Sequence, residues 1–209
     1  MTLGILDPEA IRNSTYSGEP YPHFLGSNFL RPETIDALRR DYPPITKAGY
    51  LTVDDIPLAG SFKQLIEELE SPELTEVLSE RFGLDLSPYP RLTTVRKVSQ
   101  GNDGRIHTDG PSKVMTMLVY MNDTWDASED GRLRVLYDGE HFEPYACEVP
   151  PVMGTVFGFL RSDNSWHGHK PYTGERRVVQ TAWIADAEEL ERKKRRNSLA
   201  KTLKNIFRR

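Results

Sequence analysis

The sequence predicts a mainly β protein with flanking helices, and three observations predict it. From Arg91 to Ile184, short runs rich in β-branched and aromatic residues alternate with Gly, Asn and Asp turns. Before Arg91 the apolar residues recur at helical spacing instead. After Ile184 a helical pattern returns, now strongly basic. Many short strands at such intervals fit a sandwich or a barrel.

Each element has its own signal. Residues 1–30 are rich in Gly, Pro and aromatics, as in Gly18-Glu19-Pro20-Tyr21-Pro22, and read as a loop followed by a short strand near His23–Leu25. Arg31-Pro32-Glu33 opens a helix that runs to about Asp41, because Pro suits a first helical turn. Ile35, Leu38 and Tyr42 form its stripe, and Pro43-Pro44 ends it. A second helix over Ser61–Leu69 carries Phe62, Leu65, Ile66 and Leu69 on one face. Ser71-Pro72-Glu73 caps a third, with Leu74, Val77, Leu78 and Phe82 along it and Gly83 as its stop. The β runs are Arg91–Ser99, Lys113–Met121, Arg132–Tyr137, His141–Cys147, Thr155–Phe159 and Arg177–Ile184. Asp138-Gly139 between two of them predicts a tight hairpin. No internal repeat is visible.

The 209 residues fit one domain, or one domain with appended helices. We therefore read 1–184 as a single unit, with helical support over about 31–83 and a β core over about 91–184, followed by a basic helix over 185–209. With 37% hydrophobic and 10% aromatic residues the chain can build a packed core, which excludes global disorder. No stretch approaches the ~20 apolar residues of a membrane span. Met1 to Asp7 shows no basic or apolar segment of a secretory signal. The lone Cys147 cannot form an intrachain disulfide, which agrees with a reducing compartment. Both features point to the cytoplasm. Net charge is −4 but uneven: residues 192–209 carry nine Lys/Arg and no acid, so residues 1–191 hold 18 basic and 31 acidic residues, a net of −13. Such an acidic body argues against a nucleic-acid binder.

The chemistry concentrates at His107-Thr108-Asp109, His167 and Arg177. In an extended strand, residues i and i+2 point to the same side. His107 and Asp109 can therefore bind one ion while Thr108 faces away. Gly101-Asn102-Asp103-Gly104 before them and Gly110-Pro111 after them place the pair at a sheet rim, and His167 must arrive from a distant strand. Two imidazoles and one carboxylate on one face of an octahedron leave the other face open. That is the donor set of non-heme Fe(II) oxygenases more than of zinc sites. His-X-Asp alone is common in surface loops; the distal His and the Arg ten residues later make it a site. His169 competes with His167, since both face the same way if Trp166–Pro171 is extended. The spacing to Arg177 favours His167 and leaves His169 beside the metal site, on the substrate side, or at the rim. His23 and His141 lack partners in sequence and read as ordinary histidines. Arg177 has a rival in Arg176: one faces the interior and the other faces out. The inward one can clamp a carboxylate with two parallel hydrogen bonds, while the bland reading gives both exposed ion pairs, for example with Glu175.

At these residues the chain resembles the Fe(II)/2-oxoglutarate-dependent oxygenases, most of all their prolyl 4-hydroxylase-like branch. The residues that carry the resemblance are Gly101, His107-Thr108-Asp109, Tyr120-Met121-Asn122, Trp125, Gly131-Arg132-Leu133, Gly154-Thr155-Val156-Phe157, His167, Pro171 and Arg177, all within 91–184; residues 20–90 match more loosely, as helices packed on the barrel. The family often has Trp six residues after its Arg, here Trp183, so His167 behind and Trp183 ahead select Arg177 over Arg176. There are departures. Val98 stands where the family often has Tyr, Val179 where it has a small hydroxyl residue, and Gly174 lies one position closer to the Arg. Thr116, Arg96 or Tyr120 can supply the missing co-substrate contacts.

The resemblance implies a double-stranded β-helix, or jelly roll, in which His107, Asp109 and His167 hold Fe(II) and Arg177 holds the 5-carboxylate of 2-oxoglutarate. It implies O2 as co-substrate, ascorbate as a supporting reductant, and hydroxylation of a C–H bond with release of succinate and CO2. Retention of Asp109 favours hydroxylation over halogenation. The substrate stays open among a protein prolyl residue, a free amino acid, a sugar unit and a natural product, since a fold does not choose one. Two rival readings are a cupin-type metal enzyme that does not use 2-oxoglutarate and a non-catalytic binding module of the same fold. In the tail, Leu199, Leu203, Ile206 and Phe207 form a stripe among the basic residues. It reads as a solvated helix packed on the barrel, as a peripheral anchor to an anionic membrane surface, or as a dock for an acidic partner or the chain's own acidic body.

Overall fold

The computed structural model describes residues 3–126 and 129–195. Along the chain run α1 (Glu9–Arg12), β1 (Thr15–Ser17), β2 (His23–Gly26), α2 (Ile35–Asp41, entered through a 3-10 turn at Pro32–Thr34), β3 (Leu51–Thr52), α3 (Gly60–Leu69) and α4 (Pro72–Phe82). Then follow β4 (Arg91–Ser99), β5 (Lys113–Tyr120), β6 (Leu133–Leu136), β7 (Tyr145–Val149), β8 (Val156–Leu160), β9 (His167–Gly168) and β10 (Gly174–Ile184). A further helix begins at residue 187.

The strands form two antiparallel sheets. The major one has the order β1-β2-β8-β5-β10-β4-β3 and the minor one β7-β6-β9. Period-2 alternation gives each long strand two apolar faces. On β5, Met115, Met117 and Val119 pack with Phe62, Leu65 and Ile66 of α3 and Leu74, Val77 and Leu78 of α4. Leu118 and Tyr120 point the other way, into a core shared with Phe157, Phe159 and Val178 and with Leu133, Val135 and Val149 of the minor sheet. Two facing sheets with helices on the outer face of the larger one make the double-stranded β-helix expected from the sequence.

The helices start and stop where their signals lie. Ser71 Oγ accepts from the Leu74 amide at 3.2 Å, Pro72 opens α4, and Gly83 closes it in the left-handed region at φ 64°. One buried acid that the sequence reading passed over holds the N-terminal segment down. Glu68 on α3 accepts from the amides of Gly4, Ile5 and Leu6 at 2.8–3.0 Å and from Gln64 Nε2 at 2.9 Å. Glu68→Ala strands those amides beneath the surface, so we expect a loss of about 3 kcal/mol, read as a lower urea midpoint at unchanged slope.

Three expectations need correction. The run His141–Cys147 does not form a strand as drawn: β7 starts at Tyr145, after Pro144, which has no N–H to give a ladder. Asp138-Gly139 is accordingly no tight hairpin; β6 and β7 are joined by the longer loop 137–144, which Asp138 Oδ1 organises by accepting from the amides of Glu140 and His141, both at 2.8 Å. The last strand begins at Gly174, not at Arg177. The basic helix is described only through residue 195. Leu190 packs on Leu92, Ala182 and Ile184, and Lys194 Nζ lies 2.9 Å from Asp54 Oδ2; the stripe from Leu199 to Phe207 lies outside the described residues. Among the described residues, no helix is long and apolar enough to cross a membrane.

Candidate metal centre and co-substrate cavity

The minor sheet delivers the two histidines together. His167 lies on β9, paired with Val135 of β6, and His107 continues that sheet by exchanging both backbone hydrogen bonds with His167, at 3.0 Å each. Their ring centroids lie 4.3 Å apart. Two residues on, Asp109 has crossed to the start of β5, where Thr116 Oγ1 donates to its Oδ2 at 2.6 Å and Lys113 Nζ to its Oδ1 at 2.7 Å. Arg161, just past β8, donates from Nε to the Asp109 carbonyl at 3.2 Å. One ligand atom from each of His107, Asp109 and His167 lies within 4.8 Å of the others.

The donor chemistry fits a divalent metal. His107 Nδ1 donates to the Arg105 carbonyl at 2.8 Å and His167 Nδ1 to the Ser165 carbonyl at 2.9 Å. A carbonyl only accepts, so in the neutral rings both protons sit on Nδ1 and both Nε2 lone pairs are free for metal. Burial pushes the His167 imidazolium pKa down to about 4, against the pull of Asp109. Burial would raise the Asp109 carboxyl, but Lys113, His167 and the Thr116 hydroxyl outweigh it and hold the pKa down to about 2. Asp109 is thus ionised and His167 neutral near pH 7, the states in which both ligate.

The triad opens on a cavity of about 290 Å³ lined also by Arg96, Thr116, Tyr120, His169, Arg176 and Gln180. Thr116, Tyr120 and Arg96 therefore line the cavity with the triad. Arg177 does not, and this corrects the clamp assignment. Arg176 is the inward guanidinium: only 2% exposed, it donates from Nε to the Gly131 carbonyl at 2.8 Å and from Nη2 to the Tyr120 hydroxyl at 3.1 Å. Arg177 lies on the helix side of β10, ion-paired with Glu175, its Cζ 5.3 Å from the centre of the Tyr42 ring. The reason is strand parity. Arg176, Val178 and Gln180 share the inward face, whereas Val179 and Trp183 belong to the core beneath the helices. Trp183, used as an anchor, marks the wrong face for a clamp. The pairing of β10 with β4 also slips between Glu175 and Val178, so spacing across that point miscounts by one.

His169 is part of the cavity wall, its Nδ1 donating to the Lys170 carbonyl at 2.8 Å and its amide to the Gly104 carbonyl at 2.8 Å. Burial, with Arg176 adding, pushes the His169 pKa down to about 4. Gly104 is required here: its φ is +80°, and an added Cβ would lie 2.3 Å from the His169 ring. Gly104→Ala should cost at least about 1–2 kcal/mol for the left-handed backbone alone, with the overlap on top. Urea unfolding of the variant checks this. Sequence reasoning passed over Lys113, although its charge and its position four residues after Asp109 were visible. It also passed over Arg161, Gln180 and Tyr50, whose roles depend on sheet pairing.

A two-His, one-carboxylate triad at the mouth of a double-stranded β-helix is the donor set that suits a non-heme Fe(II) oxygenase. Residues 93–185, which include the whole triad, match the 2OG-Fe(II) oxygenase superfamily. Over that stretch the chain resembles the superfamily, and its fold is prolyl hydroxylase-like; Fe(II), 2-oxoglutarate and O2 are the reagents of that class. Among solved structures it is similar to a Pseudomonas putida prolyl-4-hydroxylase, with TM-score 0.56 and 20% identity over 85% of this chain and 90% of that one. It is also similar to a viral collagen prolyl hydroxylase from Paramecium Bursaria Chlorella virus-1, solved as a 2OG complex, with TM-score 0.53 and 15% identity over 78% and 94%. A third is a Trichoplax adhaerens prolyl hydroxylase in complex with a hypoxia inducible factor peptide fragment, with TM-score 0.52 and 16% identity over 78% and 83%. At these identities the likeness is one of fold. A search of curated protein sequences returns no match.

Proposed function

We propose that the enzyme hydroxylates a C–H bond of a peptidyl substrate, coupled to conversion of 2-oxoglutarate and O2 into succinate and CO2. The observation that carries this reading is the presence of His107, Asp109, His167 and the buried Arg176 around one cavity. Fe(II) held by His107, Asp109 and His167, with 2-oxoglutarate as co-substrate, would supply the oxidising chemistry. The rest is the work of this chain. Arg176, oriented by Tyr120 and the Gly131 carbonyl, seats the 5-carboxylate through a guanidinium that can give paired hydrogen bonds. Thr116 fixes the Asp109 carboxylate, and the carbonyls of Arg105 and Ser165 fix the two rings. Phe159, whose ring centroid lies 4.7 Å from that of His167, helps keep bulk water from the inner side.

A peptidyl substrate is favoured by the neighbours, one of which holds a peptide fragment. It is favoured too by two exposed tyrosines, Tyr137 and Tyr145, that flank the loop whose Gly139 lies against Trp166, the residue before His167. The test incubates the protein with Fe(II), ascorbate, 2-oxoglutarate and O2, and measures succinate and substrate mass. Succinate that depends on Fe(II), rises with proline-containing peptides and accompanies a one-oxygen mass gain is the expected result. Succinate stimulated by free amino acids or sugars but not by peptides would overturn the substrate class, and no succinate under any condition would overturn the activity.

A further inference from the structure

Resting on that reading, we propose that Arg96 is a second guanidinium on the distal carboxylate of 2-oxoglutarate, and that Asp103 balances the surplus charge and ties this grip to the loop carrying the metal ligands. Strand register puts the groups in place. Arg96 on β4 lies opposite Val178 on β10, which lies opposite Tyr120 on β5. The three form one row across the sheet, and Arg176 reaches the same row through its hydrogen bond to the Tyr120 hydroxyl.

Arg96 is 8% exposed and lines the cavity, and its Nε is buried with no hydrogen-bond partner among the described residues. Its Cζ stacks 4.2 Å from the centre of the Tyr50 ring, another cavity residue, which fixes the plane of the guanidinium. The acid it meets is Asp103, at 3.4 Å from Nη2. Both guanidiniums act on Tyr120: burial raises its phenol, and Arg176 and Arg96 both pull it back.

The charges do not close without an anion. Arg176 pairs with no acid among the described residues, its partners being a carbonyl and a phenol. Two guanidiniums and one carboxylate leave one positive charge in a buried pocket, a costly arrangement unless an anion enters. One carboxylate neutralises it. Asp103 also accepts on Oδ2 from the Gln100 amide at 2.8 Å and from Ser99 Oγ at 3.3 Å. It thereby braces the turn that leads to His107 four residues later.

Calorimetry on the Mn(II)-loaded protein tests this with two probes, 2-oxoglutarate and 2-oxopentanoate, which keeps the chelating end and has a methyl group in place of the distal carboxylate. Arg96→Gln should weaken 2-oxoglutarate binding about tenfold or more and leave 2-oxopentanoate binding unchanged. Equal weakening of both would mean a merely structural role, and unchanged 2-oxoglutarate affinity would remove Arg96 from the carboxylate; either overturns the proposal. Mn(II) titration without ketoacid reports whether the variant folds. If Arg96→Gln fails it, Arg96→Lys carries the test: a selective several-fold loss for 2-oxoglutarate supports the proposal, and wild-type affinity for both probes overturns it. Wild-type protein that binds Mn(II) yet takes up no 2-oxoglutarate would instead sink the underlying co-substrate reading.

Discussion

Asp109→Ala is expected to abolish succinate formation and to weaken Mn(II) or Co(II) binding by more than about 100-fold. Residues that merely support ligands cost about 10–100-fold when removed, and we assign Asp109 as a ligand itself. It is also the only anion among the three, so its loss takes away the charge that neutralises half of a divalent ion. Thr116→Val is the milder companion. It keeps the shape of the side chain and removes the 2.6 Å hydrogen bond to Asp109 Oδ2, so a loss of metal affinity of about tenfold is expected. Metal titration by calorimetry, with succinate formation beside it, reads both. Wild-type metal affinity in Asp109→Ala would place the ion elsewhere.

Arg176 and Arg177 should separate sharply. Arg176→Ala removes a buried, charge-assisted grip on a carboxylate, a change of about 2–5 kcal/mol, which is about 30-fold to several-thousand-fold in the affinity for 2-oxoglutarate. Arg177→Ala loses a partly exposed ion pair with Glu175, of the kind that contributes about 1 kcal/mol or less. Its effect on 2-oxoglutarate affinity should stay within about fivefold. Metal binding should persist in both, because neither touches the triad. The reverse pattern, with Arg177 the sensitive residue, would restore the reading by spacing and would mean that β10 presents its other face to the cavity.

That pair shows where sequence reading works and where it stops. The candidate metal ligands were legible because their signal is chemical and local: His-X-Asp puts two donors two residues apart between glycine loops, and a distal His completes the set. The helices were legible because Ser71, Pro72 and Gly83 act within a single turn and a helical stripe needs only its own spacing. The missed elements are short or set by partners. The strand of β9 is just His167–Gly168 and exists through its pairing with β6, and α1 is a single turn. The run beginning at His141 read as strand by composition, but Pro144 within it cannot give an N–H to a ladder.

The amino-acid sequence by itself determined which atoms can bind the metal, which segments are helical, and that one of two adjacent arginines must face inward. Tertiary structure alone decided which one. Val178 and Val179 are both apolar because β10 is buried on both faces, by helices on one side and the minor sheet on the other. A strand covered on both sides carries no polar alternation, so its period of two has no phase that can be read from the residues. The phase is set by packing: Trp183 fills the helix-side core, and Arg176 is left to turn toward the cavity.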